Sequence, residues 1–298
     1  MSKLTATKTQ IIAERVNEFF EHIFALKASD AMKQYLDFCE RTIERSAFNN
    51  TLVFIQKPDC FYYATKSQWK TRFERTIKDF ARPLLILFPF APVEFVYDLE
   101  DTEGKPLPKN FIYWWREGRG DVSEETLDNL MALCGELGIK TSIASTKYIE
   151  YHGHTTFGVA SLEEQKEERK IELHPRYASS DVRQESLGVL IHEIAHHLLG
   201  HLGEISVGVP PKDGKVRRVI VARAHHDNDR GVREVEAELT AWLVFAKLGL
   251  EKQSSEYLAC WVTKGGAKRV RMTEVCKVVE EIYAMSHKKR WWMKKTAS

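Results

Sequence analysis

The chain has 298 residues, of which 43% are hydrophobic and 29% are charged, and its formal net charge is +2. This length and composition are typical of a globular protein of one or two domains, and so small a net charge does not by itself indicate nucleic-acid binding. The longest apolar run, residues 84–96, is interrupted by Pro89 and Pro92 and is too short to span a membrane. The first residues lack the pattern of a secretion signal. We therefore expect a soluble, cytoplasmic protein with no membrane partner.

The cysteines are odd in number and irregularly spaced, and no two of them form a CxxC pair. This pattern argues against a disulfide framework, a zinc ribbon and a dithiol redox centre. We expect reduced, buried thiols, as in cytoplasmic proteins. The residues are Cys39, Cys60, Cys134, Cys260 and Cys276.

The apolar pattern of the first half changes near residue 50. Over residues 8–46, apolar residues recur at three- and four-residue spacing, which predicts two helices with a break near Ser29. From Leu52 to Tyr97 the pattern consists of short runs, LVFI, FYYA, LLILF and VEFVY, between proline and charged turns. These runs predict a small sheet with one helix across it.

Basic residues are concentrated between residues 66 and 82, with Trp69 and Phe73 among them. Such a segment fits either a surface that contacts phosphates and stacks on bases or a solvated helix face with its rings turned inward. The segment HKKRWWMKK near the C-terminus offers a second basic surface or a frayed solubilising tail. The basic residues of the first segment are Lys66, Lys70, Arg72, Arg75, Lys78 and Arg82.

A stretch rich in proline and glycine at residues 101–120 predicts a domain boundary. We place a small mixed α/β domain at residues 1–118 and a second domain, with a short sheet and a long motif-bearing helix, at residues 119–298. The fold class is therefore predicted to be α+β.

The second domain alternates helical and strand patterns. The run SEETLDNLMALCGELG predicts a helix capped by Ser123 and ended by Gly138, and TTFGVA and KIEL predict two strands. The next helix has Asp181 as its expected N-cap, with Gln184 three residues later. A polar, basic stretch then separates it from a helix at residues 232–248. The apolar stripe of the first of these long helices is Leu187, Leu190, Ile191, Ile194 and Leu198.

The string HEIAH on that helix predicts a metal centre. His192 and His196 are one helical turn apart on the same face, so both can bind one metal, and Glu193 lies beside them. In zinc peptidases such a pair leaves a coordination position for water, and the glutamate acts as the catalytic base. Unpaired histidines facing the interior would cost free energy, which also favours metal binding.

The third ligand is expected from the downstream helix. A histidine ten residues after His192 would complete a metzincin motif, but that position is Leu202. Glu234 shares a face with Glu238 across small alanines, so Glu234 can bind the metal while Glu238 orients a ligand histidine. Glu236 is expected to point away from that edge, toward Leu239 and Leu243. Should Glu234 not bind, the alternatives are Glu236, Glu238 and His201; otherwise His197 and His201 are interpreted as ordinary polar residues at the helix end.

The order HEIAH and then REVEAEL resembles the gluzincin-like peptidases of the ImmA and IrrE type, in which the first glutamate of an E-x-E-A pattern binds the metal. That position is Glu234. The resemblance covers residues 140–250 and implies a Zn²⁺-dependent zincin domain.

The first half resembles the N-terminal domain of the ArdC-type antirestriction proteins, through FNN, Q-K-P-D and K-x-W-like elements. Those proteins join a domain that binds single-stranded DNA to a zincin domain in the same order. The resemblance implies single-stranded DNA as a partner. The DNA-binding residues that we infer, jointly from this resemblance and the basic cluster, are Asn49, Asn50, Lys66, Trp69, Lys70, Arg72 and Arg75.

Together these features predict a zinc metallopeptidase coupled to a DNA-binding domain, acting on a protein near single-stranded DNA or in antirestriction. Two alternatives stay open. One is a DNA-binding or DNA-protecting protein whose zinc is structural. The other is a regulator of the ImmA and IrrE type that cleaves a repressor.

Overall fold

The computed structural model combines helices with several small sheets, which confirms the predicted α+β class. It describes residues 17, 33–42, 44–88, 91–107, 122–144, 153–159, 167–209, 216–225, 229–250 and 269–291. Residues 8–16 and 18–32 of the helical region predicted at 8–46 lie outside these ranges, as do the boundary at residue 118, Cys260 and Trp292. The division into two domains therefore stays a prediction.

The first part of the chain contains a three-stranded sheet and a two-stranded ribbon. After a helical stretch at residues 33–41, its elements are α1 (Ala47–Gln56), β1 (Tyr63–Thr65), α2 (Lys66–Phe73), β2 (Arg75–Ile77), β3 (Leu84–Phe88), β4 (Ala91–Asp98) and β5 (Thr102–Gly104). The sheet has the order β1-β4-β3, with both outer strands antiparallel to β4. The ribbon pairs β2 with β5 in antiparallel register.

The LVFI run, expected to be a strand, belongs to helix α1. The Ser46 side chain caps this helix by accepting a hydrogen bond from the backbone N–H of Asn49. Val53 and Phe54 are then fully buried on its inner face. A capping serine just before the segment favours a helix over a strand, because it satisfies one of the free N–H groups of the first turn.

The described residues of the second part form four α-helices beside two sheets. Its elements are α3 (Glu124–Glu136), β6 (Ile139–Ile143), β7 (Gly153–Val159), β8 (Glu167–Leu173), α4 (Arg183–Leu198), β9 (Ile205–Val209), β10 (Arg217–Ala222), α5 (Arg230–Lys247) and α6 (Met272–Ser286). The sheet order is β6-β8-β7, with β6 parallel and β7 antiparallel to β8. Ser123 caps α3 as predicted, and β7 and β8 contain most of the predicted strands TTFGVA and KIEL.

Three features of this part differ from the sequence-based expectations. Helix α4 begins at Arg183 without the expected cap from Asp181, because Ser179 instead caps a short 3-10 turn at Ser180–Val182. The polar stretch after α4 contains an antiparallel pair, β9 and β10. Helix α6 was not predicted. None of the helices in the described ranges is long and apolar enough to cross a membrane.

The larger of two buried apolar clusters among the described residues extends through both parts of the chain. It includes Phe54 from α1, Leu130 from α3, Leu190 from α4, Phe245 from α5 and Ile282 from α6. Helix α5 packs against both α4 and α6, so α4 and α5 meet inside the protein. This packing places the HEIAH face of α4 against the glutamates of α5.

Candidate metal centre

The HEIAH motif lies in the last turns of α4, opposite the first half of α5. The Nε2 atoms of His192 and His196 are 3.1 Å apart. Oε2 of Glu234 lies 3.5 Å from Nε2 of His192 and 3.9 Å from Nε2 of His196. The three residues predicted as metal ligands therefore converge on one point.

These separations fit one small metal ion. Zinc lies about 2.0–2.1 Å from nitrogen and oxygen ligands, so two ligand atoms in a tetrahedral site lie roughly 3.3 Å apart. Nδ1 of His192 lies 3.0 Å from Oε2 of Glu238. Because a carboxylate only accepts, Nδ1 donates to Glu238, and Nε2 is the nitrogen that faces the oxygen of Glu234. Without a metal ion, a proton on Nε2 joins these two atoms. A bound metal ion would take the place of that proton between the nitrogen and the carboxylate, so the donor set fits a metal ion.

Glu238 therefore has the position expected of a residue that orients a ligand. It lies one turn after Glu234 on α5 and is buried. Its hydrogen bond to Nδ1 fixes both the ring orientation and the tautomer of His192, as carboxylates commonly do for metal-binding histidines.

Glu193 is buried beside the converging ligands, with 7% of its surface exposed. Burial raises its pKa to about 7, with a further increase from the charge of Glu234 and a partial decrease from His192. A carboxyl group with a pKa near neutrality can both accept and return a proton at working pH.

The two histidines have opposite pKa shifts. Burial works to lower the pKa of His192, but hydrogen bonds to Glu234 and Glu238 outweigh it and raise the pKa to about 9. Burial lowers the pKa of His196 well below its ordinary value, and neighbouring histidines lower it further. Burial also works to raise the pKa of Glu234, but His192 and Arg230 outweigh it and lower the pKa.

A second polar cluster, formed by His201, His225, Glu236 and Arg271, lies behind His196. Nδ1 of His201 is 2.8 Å from Nδ1 of His196, and Nε2 of His201 is 2.9 Å from Oε2 of Glu236. Glu236 is fully buried. The expectation that it faces Leu239 and Leu243 therefore needs correction, since its carboxylate binds this polar cluster. His201 is likewise a buried cluster member and not an ordinary polar residue at the helix end.

The end of α4 explains how His201 reaches His196. Gly200 adopts a left-handed φ of +76°, the N–H of Gly200 donates to the carbonyl of His197, and that of His201 donates to the carbonyl of His196. This pair of bonds is the Schellman motif, which brings the second residue after the helix next to the last turn. A histidine that follows a helix-ending glycine is thus the sequence signal that could have identified His201.

His197 is fully buried and belongs to a different environment. Burial and the charge of Arg169 lower its pKa to about 3. The neighbouring Arg169 donates to the backbone carbonyls of Leu202 and Glu204, which holds the segment after α4 in place.

Two of the residues predicted to bind DNA are buried. Trp69 has no exposed surface, and its indole N–H donates to the carbonyl of Tyr97. Asn50 is 3% exposed and bonds to the carbonyl of Thr42 and the hydroxyl of Tyr63. Neither residue can reach a nucleotide in this structure, so the expectation for both is corrected: each satisfies its polar groups inside the core.

Asn49 and Gln56 of the same segment hold strand β3 against α1. The Asn49 amide accepts from the N–H of Leu87 and donates to its carbonyl. The Gln56 amide makes the same pair of bonds to Leu85. The two side chains thus make the hydrogen bonds to β3 that the backbone of a neighbouring strand would make. Their role is structural.

Of the basic residues predicted to bind DNA, three are exposed and one makes structural hydrogen bonds. Lys66, Lys70 and Arg72 are exposed on α2. Arg75 is partly buried, and its guanidinium donates to the Thr102 side chain and to the carbonyls of Thr102 and Lys105. Arg75 therefore joins β2 to β5, whereas Lys66 and Lys70 extend into solvent. Arg72 forms an exposed ion pair with Glu44 at 3.6 Å.

A scan against protein-family models finds no match, and no curated protein matches this chain. Among solved structures, the chain is similar to the metal-free crystal structure of the antirestriction protein ArdC from plasmid R388. The two share 13% sequence identity with a TM-score of 0.40, over 86% of this chain and 98% of that chain. A likeness at this level assigns neither a family nor an activity to the protein described here.

Proposed function

We propose that this protein is a zinc-dependent metallopeptidase with Glu193 as its base. The observation that supports the proposal most directly is the convergence of His192, His196 and Glu234, with Nε2 and Oε2 atoms 3.1 to 3.9 Å apart. Two histidines and one carboxylate leave a coordination position for a substrate or water, whereas structural zinc sites are usually closed by four protein ligands. When bound, zinc supplies Lewis-acid polarisation of a carbonyl group and of water.

The protein residues then have distinct tasks. Glu193 accepts a proton from the attacking water and returns it to the leaving amine, which needs a carboxyl group close to the ligands. Glu238 accepts from Nδ1 of His192 and so keeps Nε2 directed toward the metal position. Burial of Glu193, His196 and Glu238 limits competing water and strengthens the electrostatic effect of their charges.

Metal analysis tests the site. Purified wild type is expected to hold one equivalent of zinc, and His196→Ala and Glu234→Ala are expected to lose it while keeping their circular dichroism. Glu185→Ala is the matched control, because Glu185 lies on α4 but is exposed and paired with Arg176. Zinc retained by Glu234→Ala would assign the third ligand to another residue.

Cleavage tests the activity. The wild type and Glu193→Gln are incubated with a proteome-derived peptide library, and new peptide termini are identified by mass spectrometry. Loss of a general base lowers rates by about 10²–10⁴-fold, so Glu193→Gln is expected to be nearly inactive while Glu185→Gln cleaves normally. Equal cleavage by Glu193→Gln would contradict the proposal. A zinc-bound wild type that cuts nothing and unfolds on chelation would favour a structural metal.

A second candidate function is binding of single-stranded DNA by the first part of the chain. The observation that favours it is the exposed set Lys66, Lys70 and Arg72 together with Phe80, which is fully exposed between Lys78 and Arg82. An exposed ring among cations suits base stacking next to phosphate contacts. With Trp69 buried, Phe80 is the aromatic residue that we propose for stacking.

Fluorescence anisotropy with a labelled single strand of about 20 nucleotides tests this candidate. The variant Lys70→Glu/Arg72→Glu is expected to bind about tenfold more weakly and with a smaller salt dependence, because fewer counterions are released. Phe80→Ala is expected to weaken binding without changing the salt dependence. The control Lys277→Glu/Lys288→Glu reverses two exposed charges on or beside α6. Equal weakening by the control would indicate non-specific attraction alone.

A further inference from the structure

The buried cluster of His201, His225, Glu236 and Arg271 is not needed to complete the ligand set, yet it contacts one of the ligands. Arg271 makes two contacts to the Glu236 carboxylate through its guanidinium, at 2.7 and 3.1 Å, and a third through its backbone N–H at 2.7 Å. The same guanidinium donates to the carbonyl of Leu199 at the end of α4. Glu236 is thus held as an ionised acceptor deep in the protein.

The hydrogen bonds fix the proton positions one after another. Glu236 only accepts, so Nε2 of His201, at 2.9 Å, carries a proton and donates it. The other nitrogen of a neutral His201 is then an acceptor. Nδ1 of His196, at 2.8 Å from it, must therefore be the donor. The remaining nitrogen of His196, Nε2, presents its lone pair to the point shared with His192 and Glu234.

We propose that His201 and Glu236, supported by Arg271, are positioning residues that fix His196 in its metal-binding tautomer. This inference rests on the proposed metal site. His192 reaches the same state through one carboxylate, Glu238, whereas His196 reaches it through a histidine that is itself bound to a carboxylate. Each ligand histidine therefore has a hydrogen-bond partner of its own at Nδ1.

A second metal ion at His201, His225 and Glu236 is the competing interpretation, since their ligand atoms lie within 4.8 Å of one another. The charges oppose it. Arg271 contacts both oxygens of Glu236, so a cation bound there would lie against a guanidinium. If Nε2 of His201 bound a metal ion, it would also lose the hydrogen bond to Glu236 that orients the ring. Charge and hydrogen bonding therefore favour a relay of hydrogen bonds from Glu236 through His201 to His196 over a second metal ion.

Zinc affinity, measured by competition with a coloured chelator, tests the relay in the full-length protein. His201→Leu removes the acceptor for His196, and loss of such a partner is expected to weaken zinc binding by about 10–100-fold. His201→Gln retains an acceptor oxygen and a donor amide, and is expected to stay within about threefold of the wild type. His287→Leu and His287→Gln, at an exposed position after α6, are the matched controls.

The outcomes separate the possibilities. Wild-type affinity in His201→Leu, or equal losses in folded His201→Leu and His201→Gln, would overturn the relay. Two equivalents of zinc in the wild type, with the second lost in His225→Ala, would overturn it in favour of a second metal site. Weakened zinc binding in His201→Leu together with near wild-type zinc binding in His201→Gln would support the relay.

Histidine tautomers can be read directly in the wild type without added metal, by NMR of isotope-labelled histidine. The expected result is a proton on Nδ1 of His196 and on Nε2 of His201, and the reverse arrangement would overturn the relay. Because this measurement does not need zinc, a wild type that binds no zinc would count against the proposed function alone, while the tautomers still decide the relay.

Discussion

Among single residues, Gly200 links the fold to the candidate metal centre. Its left-handed backbone ends α4 and returns His201 toward His196, and its carbonyl accepts from the N–H of His225. Both histidines of the buried cluster thus depend on one turn. A side chain at this position has no room, because an added Cβ would lie 1.8 Å from the carbonyl oxygen of Arg223.

We expect Gly200→Ala to lower the free energy of unfolding by at least about 3 kcal/mol, since a positive φ and a backbone clash act together. Urea unfolding followed by circular dichroism measures the change. Gly135→Ala on α3 is the control, because its Cβ would meet nothing within 4 Å. That variant is expected to be more stable by about 0.5–1 kcal/mol, as is usual for alanine in a helix. A Gly200→Ala protein as stable as the wild type would contradict the assigned turn.

The sequence also predicted part of the site residue by residue. Helical spacing predicted that His192 and His196 share one helix face and that Glu234 and Glu238 share another, because residues one turn apart lie on the same side. That the two faces meet was expected from the small alanines beside Glu234 and from the order of the two motifs. Glu236 was misinterpreted since its helical angle gives a direction but not the partner that lies there. Arg271 and His225 come from distant segments, and no local pattern joins them to Glu236.

At the scale of elements, local signals predicted the helices α3, α4 and α5 well. Each has a clear apolar stripe, and α3 has a capping serine as well. The predictions failed for elements whose conformation depends on tertiary contacts. Helix α1 has an apolar run that suits a strand equally well, and β9 and β10 form in a polar stretch because they pair with each other. The inward orientation of Trp69 likewise depends on its packing against Tyr62 and Phe73.

For the whole molecule, the main question is whether the first part of the chain unfolds separately from the second. The contacts between them are specific. Glu280 on α6 accepts from the N–H of Ala47 at 2.8 Å and pairs with Lys247 of α5 at 3.0 Å, while Lys247 also donates to the carbonyl of Arg45. The Thr51 hydroxyl lies 3.4 Å from the thiol of Cys276. The apolar cluster continues across the same surface.

We therefore expect α1 and α6 to unfold in one cooperative step. Hydrogen exchange at increasing urea should give both helices the same free energy of opening, because neither can open without exposing the shared core. Glu280→Ala is expected to lower both values together by about 1–3 kcal/mol, since it leaves the N–H of Ala47 and the charge of Lys247 without their acceptor. Glu274→Ala, an outer position of the same helix paired with Lys277, is expected to change neither. Loss of protection in α1 at lower urea than in α6 would instead show that the two predicted domains are independent folding units, and the joint core would then be an interface between them.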